Sequence, residues 1–373
     1  MNNYVVYHLH SDNSLLDSRT KYWEYIRRAK ELGQKAICFS EHGNTHNWIF
    51  KKMYCESTQY KVVTNDKVKY FDNKQKCDKY VTDLIESYSI IELPPIKYIH
   101  GIEAYLTEDE PGSDHRHRDN YHTILIAKNA DGFKELNTLV DKSTDSDHMY
   151  YKPRISFSEF LNISDNVIKI SACLMSPLNK FKIESNEDEE LYFKLLQKYD
   201  YLEIQPHIKS NAQKDYNAKL VSLSKRFNIP LIAGTDTHSI DNYSAECRTI
   251  IQLSKGIEFT EEDDFDLVYK TYDELVEMFK IQGTVSEDIY LEAIDNTNKM
   301  ADSVFEFELD TAFKYPRLYE DEDAVLVDRI NKMYRDKVDK GIIKDDPIYM
   351  HNVEEELRVF RKIGMIGFIL FMS

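Results

Sequence analysis

The chain has 373 residues, 42% hydrophobic and 30% charged, enough for one large domain with a smaller companion. Its 65 acidic residues outnumber 48 basic ones, and a net charge of −17 argues against a free-standing nucleic-acid binder, although not against an enzyme that holds DNA through metals or a neighbouring domain. There is no apolar run of membrane-spanning length, no basic-apolar leader, and no paired spacing among Cys38, Cys55, Cys77, Cys173 and Cys247, which disfavours a membrane protein, a disulfide scaffold and a zinc ribbon and leaves a cytoplasmic location expected.

In chain order, apolar β-rich runs alternate with helical patterns. Tyr4–His10 reads as a strand, Tyr22–Leu32 as a helix and Ala36–His42 as a strand. Residues 54–92, rich in Lys, Asp, Tyr and Asn and without a persistent strand period, read as an insertion. Strands follow at Tyr98–Glu103 and His122–Lys128. Between them residues 109–120 read as an exposed loop whose His115 and His117 repeat an H-x-H spacing. Helices at Gly132–Val140, Leu191–Tyr199 and Gln213–Phe227 then alternate with strands at Val167–Cys173, Tyr201–His207 and Leu231–His238. This rhythm implies parallel strands with covering helices, and polar residues at the strand ends fit a barrel better than an open sheet. No glycine-rich phosphate loop follows any strand, so a nucleotide-binding open sheet has no support.

From about residue 255 the pattern turns helical, with Tyr272–Phe279, Glu287–Ser303, Ala324–Asp339 and Val353–Ile363 spaced in threes and fours. The expected organisation is a domain over residues 1–255, carrying the insertion at about 54–92, and a helical segment over 256–373. The apolar stretch at 364–373 reads as the start of a further domain. Acidic runs at Glu184–Glu190, Glu258–Asp266 and Glu320–Asp323 read as solvated surface.

All seven strand candidates end, or in one case begin, with a side chain that binds divalent metal, and all but Tyr201–His207 carry an expected ligand. His8 and His10, like Asp236 and His238, stand two apart, which in an extended strand puts both on one face. A lone histidine on an apolar strand is usually a satisfied core residue, but two on one face without partners are costly to bury. Asp17 by itself reads as a helix N-cap before it reads as a ligand. His42 is followed by Gly43, which permits a tight turn, and Glu41 reads as ligand, orienting residue or rim. Glu103 sits among apolar neighbours, where a carboxylate needs compensation and a bridge between two cations is the strongest available. His122 stands at a strand start and Cys173 among small residues, each individually weak. Together they suggest a polynuclear site, and the mixed N, O and S donors point to Zn2+ or Mn2+, with Fe2+ as the alternative, rather than Mg2+.

The segments YHLHSDNSLLD (7–17), SEHGN (40–44), GIEAYL (101–106), YHTILIAKN (121–129), YKPRISF (151–157), SACL (171–174), YLEIQPH (201–207) and AGTDTHS (233–239) resemble the PHP (polymerase and histidinol phosphatase) domain. More narrowly they resemble the N-terminal part of bacterial DNA polymerase III alpha subunits, as do Tyr272–Phe279 and Glu354–Phe371. The resemblance implies an α/β fold, a distorted (β/α)7 PHP barrel followed by a mainly helical segment leading toward a palm domain. It implies metal ligation by His8, His10, Asp17, His42, Glu103, His122, Cys173, Asp236 and His238. His8, His10, Glu103 and Asp236 would hold one ion. Glu103 would bridge to a second held with His122 and Cys173, and Asp17, His42 and His238 would hold a third. Two departures stand out: Glu41 occupies a position where Asp is common, and the stretch 54–92 is longer than usual.

The activity so implied is metal-assisted phosphoester hydrolysis, with Asp236, Glu103 and His10 at its catalytic heart and a DNA 3′ end as substrate, hence 3′–5′ exonucleolysis within DNA replication. Arg154 and Lys152 are candidate phosphate contacts, with a surface ion pair as the plain alternative. Implied partners are DNA, the remaining polymerase domains or a complementary subunit, and through the full polymerase a proofreading exonuclease and a sliding clamp; no membrane is implied. Nucleotidyl transfer by a DNA-directed DNA polymerase would need palm carboxylates beyond this sequence, so synthesis by the chain alone is not expected. Two other readings are a catalytically silent module that docks a proofreading exonuclease and an independent histidinol-phosphatase-like phosphoesterase.

Overall fold

The computed structural model describes residues 3–114, 116–118, 120–257, 264–308 and 315–373. His115 and most of the acidic run 258–266 lie outside the described residues. Contacts divide the chain into two compact units, Met1–Phe307 and Glu308–Ser373.

The first unit is an α/β fold. Its strands are β1 (Ala36–Phe39), β2 (Gln59–Thr64), β3 (Val68–Phe71), β4 (Tyr88–Leu93), β5 (Lys97–Thr107), β6 (Tyr121–Ala127), β7 (Arg154–Ser156), β8 (Val167–Ile170), β9 (Leu202–Ile204) and β10 (Leu231–Ala233). The central sheet runs β1-β5-β6-β8, with β7 paired to the end of β5, while β9 and β10 pair separately. Single bridges carry the circuit onward: Ile170 to Tyr201, Leu9 to Thr237, and Val6 to Ile37. The result is a distorted, non-closed barrel joined at these points by isolated bridges rather than by a continuous ladder.

One strand departs from the all-parallel expectation. β6 runs antiparallel to both β5 and β8. Among the described residues no helix separates β5 from β6, so the chain turns back as a hairpin instead of crossing over. The start of β6 therefore lies at the same mouth as the ends of its neighbours. That reversal explains why His122 opens its strand while His42 and Cys173 follow the ends of theirs and Glu103 lies within β5.

Residues alternate between two apolar layers, which is why the strands read as near-continuous hydrophobic runs. Val5, Tyr7, Cys38, Ile99, Ile124, Ile126, Ile170 and Ile232 fill one cluster, while Val6, Ile37, Phe39, Ile102, Leu125 and Ile204 pack against the covering helices. Helix Glu287–Ser303 belongs to this unit: Thr297 Oγ1 accepts from the Val5 amide at 3.0 Å, and Asn296 Nδ2 donates to the Leu231 carbonyl at 2.7 Å.

The insertion is a structure of its own, an antiparallel sheet ordered β3-β2-β4 with helix Lys74–Thr82. No strand period was legible there because much of the sheet is not core: β4 exposes Tyr88, Ile90 and Ile91. The second unit comprises helices Glu322–Asp339, Pro347–Lys362 and Ile366–Met372 around a small core of Leu326, Leu357 and Leu370. Among the described residues no helix is long and apolar enough to cross a membrane.

Candidate metal centre

The barrel mouth gathers the candidate ligands from widely separated positions. His8 and His10 flank Leu9, whose bridge to Thr237 places the first segment against the turn after β10. This segment is not a regular strand. The outward positions Tyr4 and Val6 are followed by Leu9, a one-residue break in the alternation centred on His8. Asp236 likewise leaves extended geometry, with φ +43°, a left-handed conformation that costs about 1–3 kcal/mol in a non-glycine residue and clusters at functional sites. Gly43, at φ +63°, takes the turn after His42, and a Cβ there would meet Pro153 Cγ at 2.5 Å. Its amide donates to the Glu103 carbonyl at 2.9 Å, tying the His42 turn to the Glu103 strand.

Three groups of side chains can each hold a cation: His8, His10 and Asp236; His10, Asp17 and His42; His42, Glu103 and His122. Asp236 Oδ1 lies 3.0 Å from His8 Nε2, 3.4 Å from His10 Nε2 and 3.0 Å from His238 Nε2. Asp17 Oδ2 lies 2.7 Å from His42 Nε2 and 2.9 Å from His238 Nδ1. Glu103 stands between the groups. Its Oε1 is 3.5 Å from His8 Nε2 and 2.9 Å from His122 Nδ1, and its Oε2 is 3.5 Å from His10 Nε2 and 2.7 Å from His42 Nδ1. Cys173 belongs to none of the three groups, although its Sγ is 3.6 Å from His122 Nδ1.

The donor set fits divalent metal. Both Glu103 oxygens, His8 Nε2, His10 Nε2 and His42 Nδ1 are buried and make no hydrogen bond of acceptable geometry. Leaving such groups unsatisfied costs about 1–3 kcal/mol each, more when charged. Donors around an ion at bond lengths of about 2.0–2.2 Å stand roughly 3–3.5 Å apart, the spacing found around His8, His10 and Asp236.

A supporting layer orients these donors. Glu203 Oε1 is 2.7 Å from His8 Nδ1, and the same carboxylate accepts from Tyr7 Oη at 2.8 Å and Gln205 Nε2 at 2.6 Å. A hydrogen bond at Nδ1 commits His8 Nε2 to the metal side. Arg248 grips Asp17, its Nη2 2.5 Å from Oδ1. Glu41 is no member of the three groups. It is fully buried and ion-paired to Lys51 Nζ at 2.7 Å, accepting also from Ser14 Oγ at 2.6 Å and from Ser11. Sequence reasoning missed Glu203 and Arg248. The only signal for Glu203 was a carboxylate inside the apolar strand YLEIQPH, the one strand assigned no ligand.

Burial alone would raise the Glu103 carboxyl, yet the adjacent His122 and His42 imidazoles hold it well below the usual carboxylate range. Asp236 is held down in the same way, burial being overcome by His8, His10 and His238. Burial, with the His42 and His238 rings close beside it, pushes His10 down to about 4, keeping it in the neutral form that ligates metal. Burial and the nearby Asp236 and Glu103 carboxylates push the Cys173 thiol well up, so its thiolate needs a cation beside it.

Asp17, His42, Glu103, His122, Cys173, Asp236 and His238 all line one open cavity of about 920 Å3. Lys152 lines it too, its Nζ 5.1 Å from the centre of the Tyr105 ring. Arg154 is not brought there. It is 2% exposed, its guanidinium held by Asp109 Oδ2 at 3.0 Å, Thr107 Oγ1 at 3.1 Å and the His117 carbonyl at 2.8 Å. Those bonds occupy the groups a phosphate would need. Arg118, not singled out from the sequence, lines the cavity instead.

Residues 7–207 match the PHP domain family. A DNA polymerase III subunit alpha from Aquifex aeolicus is 26% identical over 99% of this chain and 31% of its own length. One from Borreliella burgdorferi is 28% identical over 82% of this chain and 24% of its own. A DNA polymerase III PolC-type from Clostridium perfringens is 30% identical over 49% of this chain and 13% of its own. The chain thus spans less than a third of the length of these relatives.

Proposed function

This chain belongs to the PHP domain family and is homologous to bacterial DNA polymerase III alpha subunits, and from that premise we propose that it is the PHP-containing part of a replicative polymerase whose metal centre hydrolyses phosphodiesters at a DNA 3′ end. The observation that carries the reading is Glu103, whose two buried oxygens face four imidazoles without a hydrogen bond.

His8, His10, Asp236 and Glu103 would hold one ion; Asp17, His42 and His238 another; and His122 and Cys173, with Glu103, a third. Divalent zinc or manganese bound there would supply Lewis acidity to a phosphoryl oxygen and to water. The chain's own residues do the rest. Glu203 and Arg248 fix the angles of His8 and Asp17. Asp236, 8% exposed at the cavity wall, is a carboxylate within reach of an entering nucleophile. Lys152 offers positive charge to a phosphate in the cavity, and the buried wall limits water to the open side. DNA and the remaining polymerase components are the partners that the homology supports.

The test compares wild-type and Asp236→Asn chains, loaded with Mn2+ or Zn2+, on 3′-labelled single-stranded DNA and on a phosphomonoester. Shortening of the DNA that the substitution abolishes is the expected result. Turnover of the monoester alone would replace the exonuclease with a small-molecule phosphatase. Metal-loaded protein inert on both would leave a structural centre.

A further inference from the structure

Beside the metal cavity stands a second feature that ligation does not require. Tyr151 has φ +60°, a conformation a bulky aromatic residue rarely adopts, and its side chain is 70% exposed. Strain of this kind persists only where surrounding structure imposes it. Here it projects a ring onto Arg118, which lines the cavity together with Lys152, whose Nζ lies over the Tyr105 ring at 5.1 Å. The Arg118 guanidinium lies 5.1 Å from the centre of the Tyr151 ring and its Nη2 is 3.3 Å from Tyr151 Oη. Tyr150 braces the same ring edge-on at 4.7 Å, and is itself covered by the buried Arg154 at 5.1 Å. Among the described residues Arg118 contacts Tyr151 and Lys152 contacts Tyr105, whose Oη is 3.3 Å from Lys152 Nζ, and neither cation forms an ion pair with a carboxylate, in a chain of net charge −17.

An exposed, braced aromatic ring beside a cavity lined by Arg118 and Lys152 suits one ligand chemistry: an unpaired base stacked on the ring with its phosphates on the cations. A small phosphomonoester would need no such face. We infer that Arg118, Tyr151 and Lys152 form a landing platform for single-stranded nucleic acid, which delivers the strand's terminal phosphodiester into the metal cavity. The inference rests on the hydrolase reading and deepens it by naming the residues that would receive the strand, but the platform binds whether or not the centre turns over.

The probe is a short fluorescent oligothymidylate with phosphorothioate linkages, its binding to the full Mn2+-loaded chain followed by anisotropy across a salt series. Tyr151→Gly removes the ring while accepting the left-handed backbone, so folding is preserved, and Tyr151→Phe keeps the ring. Tyr151→Gly should weaken binding about tenfold or more, as expected for one lost base stack, while Tyr151→Phe binds as the wild type does. Arg118→Ala should reduce the slope of log affinity against log salt by about 0.7. Equal binding by wild type and Tyr151→Gly would overturn the platform. So would a wild-type chain that hydrolyses p-nitrophenyl phosphate yet does not bind the oligomer, a result that leaves the phosphoesterase reading standing. Binding that depends on Tyr151 in a chain that hydrolyses no ester supports the platform and overturns the hydrolase reading.

Discussion

Glu203 touches no proposed metal ion, yet the geometry assigns it much of the affinity of the centre. Its carboxylate is fully buried and receives three groups: His8 Nδ1 at 2.7 Å, Tyr7 Oη at 2.8 Å and Gln205 Nε2 at 2.6 Å. In Glu203→Gln the shape survives, but one oxygen becomes an NH2 that cannot accept, and the bond to His8 changes from charge-assisted to neutral. Charged hydrogen bonds contribute about 1.5–3 kcal/mol against about 0.5–1.5 for neutral ones, so the orientation of His8 loses about 1–2 kcal/mol. Substitutions behind metal-bound histidines cost about 10–100-fold in affinity, which is of the same order. Competition against a chromophoric chelator should show that drop with the fold intact by circular dichroism. Gly234→Ala supplies an independent check. A Cβ at Gly234 would fall 2.3 Å from Glu203 Oε1 in a packed interior, so the carboxylate must move away from His8 and affinity should fall similarly. Folded Glu203→Gln and Gly234→Ala proteins with metal affinity within twofold of wild type would refute the assignment.

Other expectations follow from the same contacts. Lys51→Met leaves the Glu41 carboxylate, held down to about 2, buried without its cation, and should cost about 3–5 kcal/mol in urea unfolding. Cys173→Ser removes the sulfur donor of the proposed ligand set and should lower zinc affinity more than manganese affinity in parallel titrations. His148 lies between Asp145 and Glu159, at 2.7 and 3.0 Å; burial would lower its pKa, but the two carboxylates raise it above the usual value. Its contribution to stability is therefore full below about pH 6.5 and lost as pH rises through the raised value. His148→Gln should remove that slope from the pH dependence of the melting temperature.

The sequence carried the barrel and its mouth because both rest on short patterns. Apolar runs ending in His, Asp or Glu are legible wherever strand ends converge, and the helices Gln213–Phe227 and Glu287–Ser303 were marked by their spacing in threes and fours. His122 looked ambiguous because its place depends on β6 running backward, which is decided by the missing crossover helix rather than by any residue in the strand. Arg154 looked like a phosphate contact because nothing local reveals that Asp109, 45 positions earlier, takes its guanidinium. Glu203 was passed over for the opposite reason: a carboxylate within an apolar strand shows its purpose only when His8, 195 positions away, is set against it. Tyr151 gave no signal, since a left-handed tyrosine has no sequence signature.

The account depends on cations seated among His8, His10, Glu103 and Asp236. The most direct measurement is an anomalous-scattering crystal structure of the chain grown with Mn2+ and, separately, with Zn2+. The account predicts peaks within bonding distance of those four side chains, with Glu103 shared between neighbouring ions. Crystals grown in saturating metal that show no anomalous peak at the barrel mouth, or Glu103 hydrogen-bonded to protein alone, would contradict it.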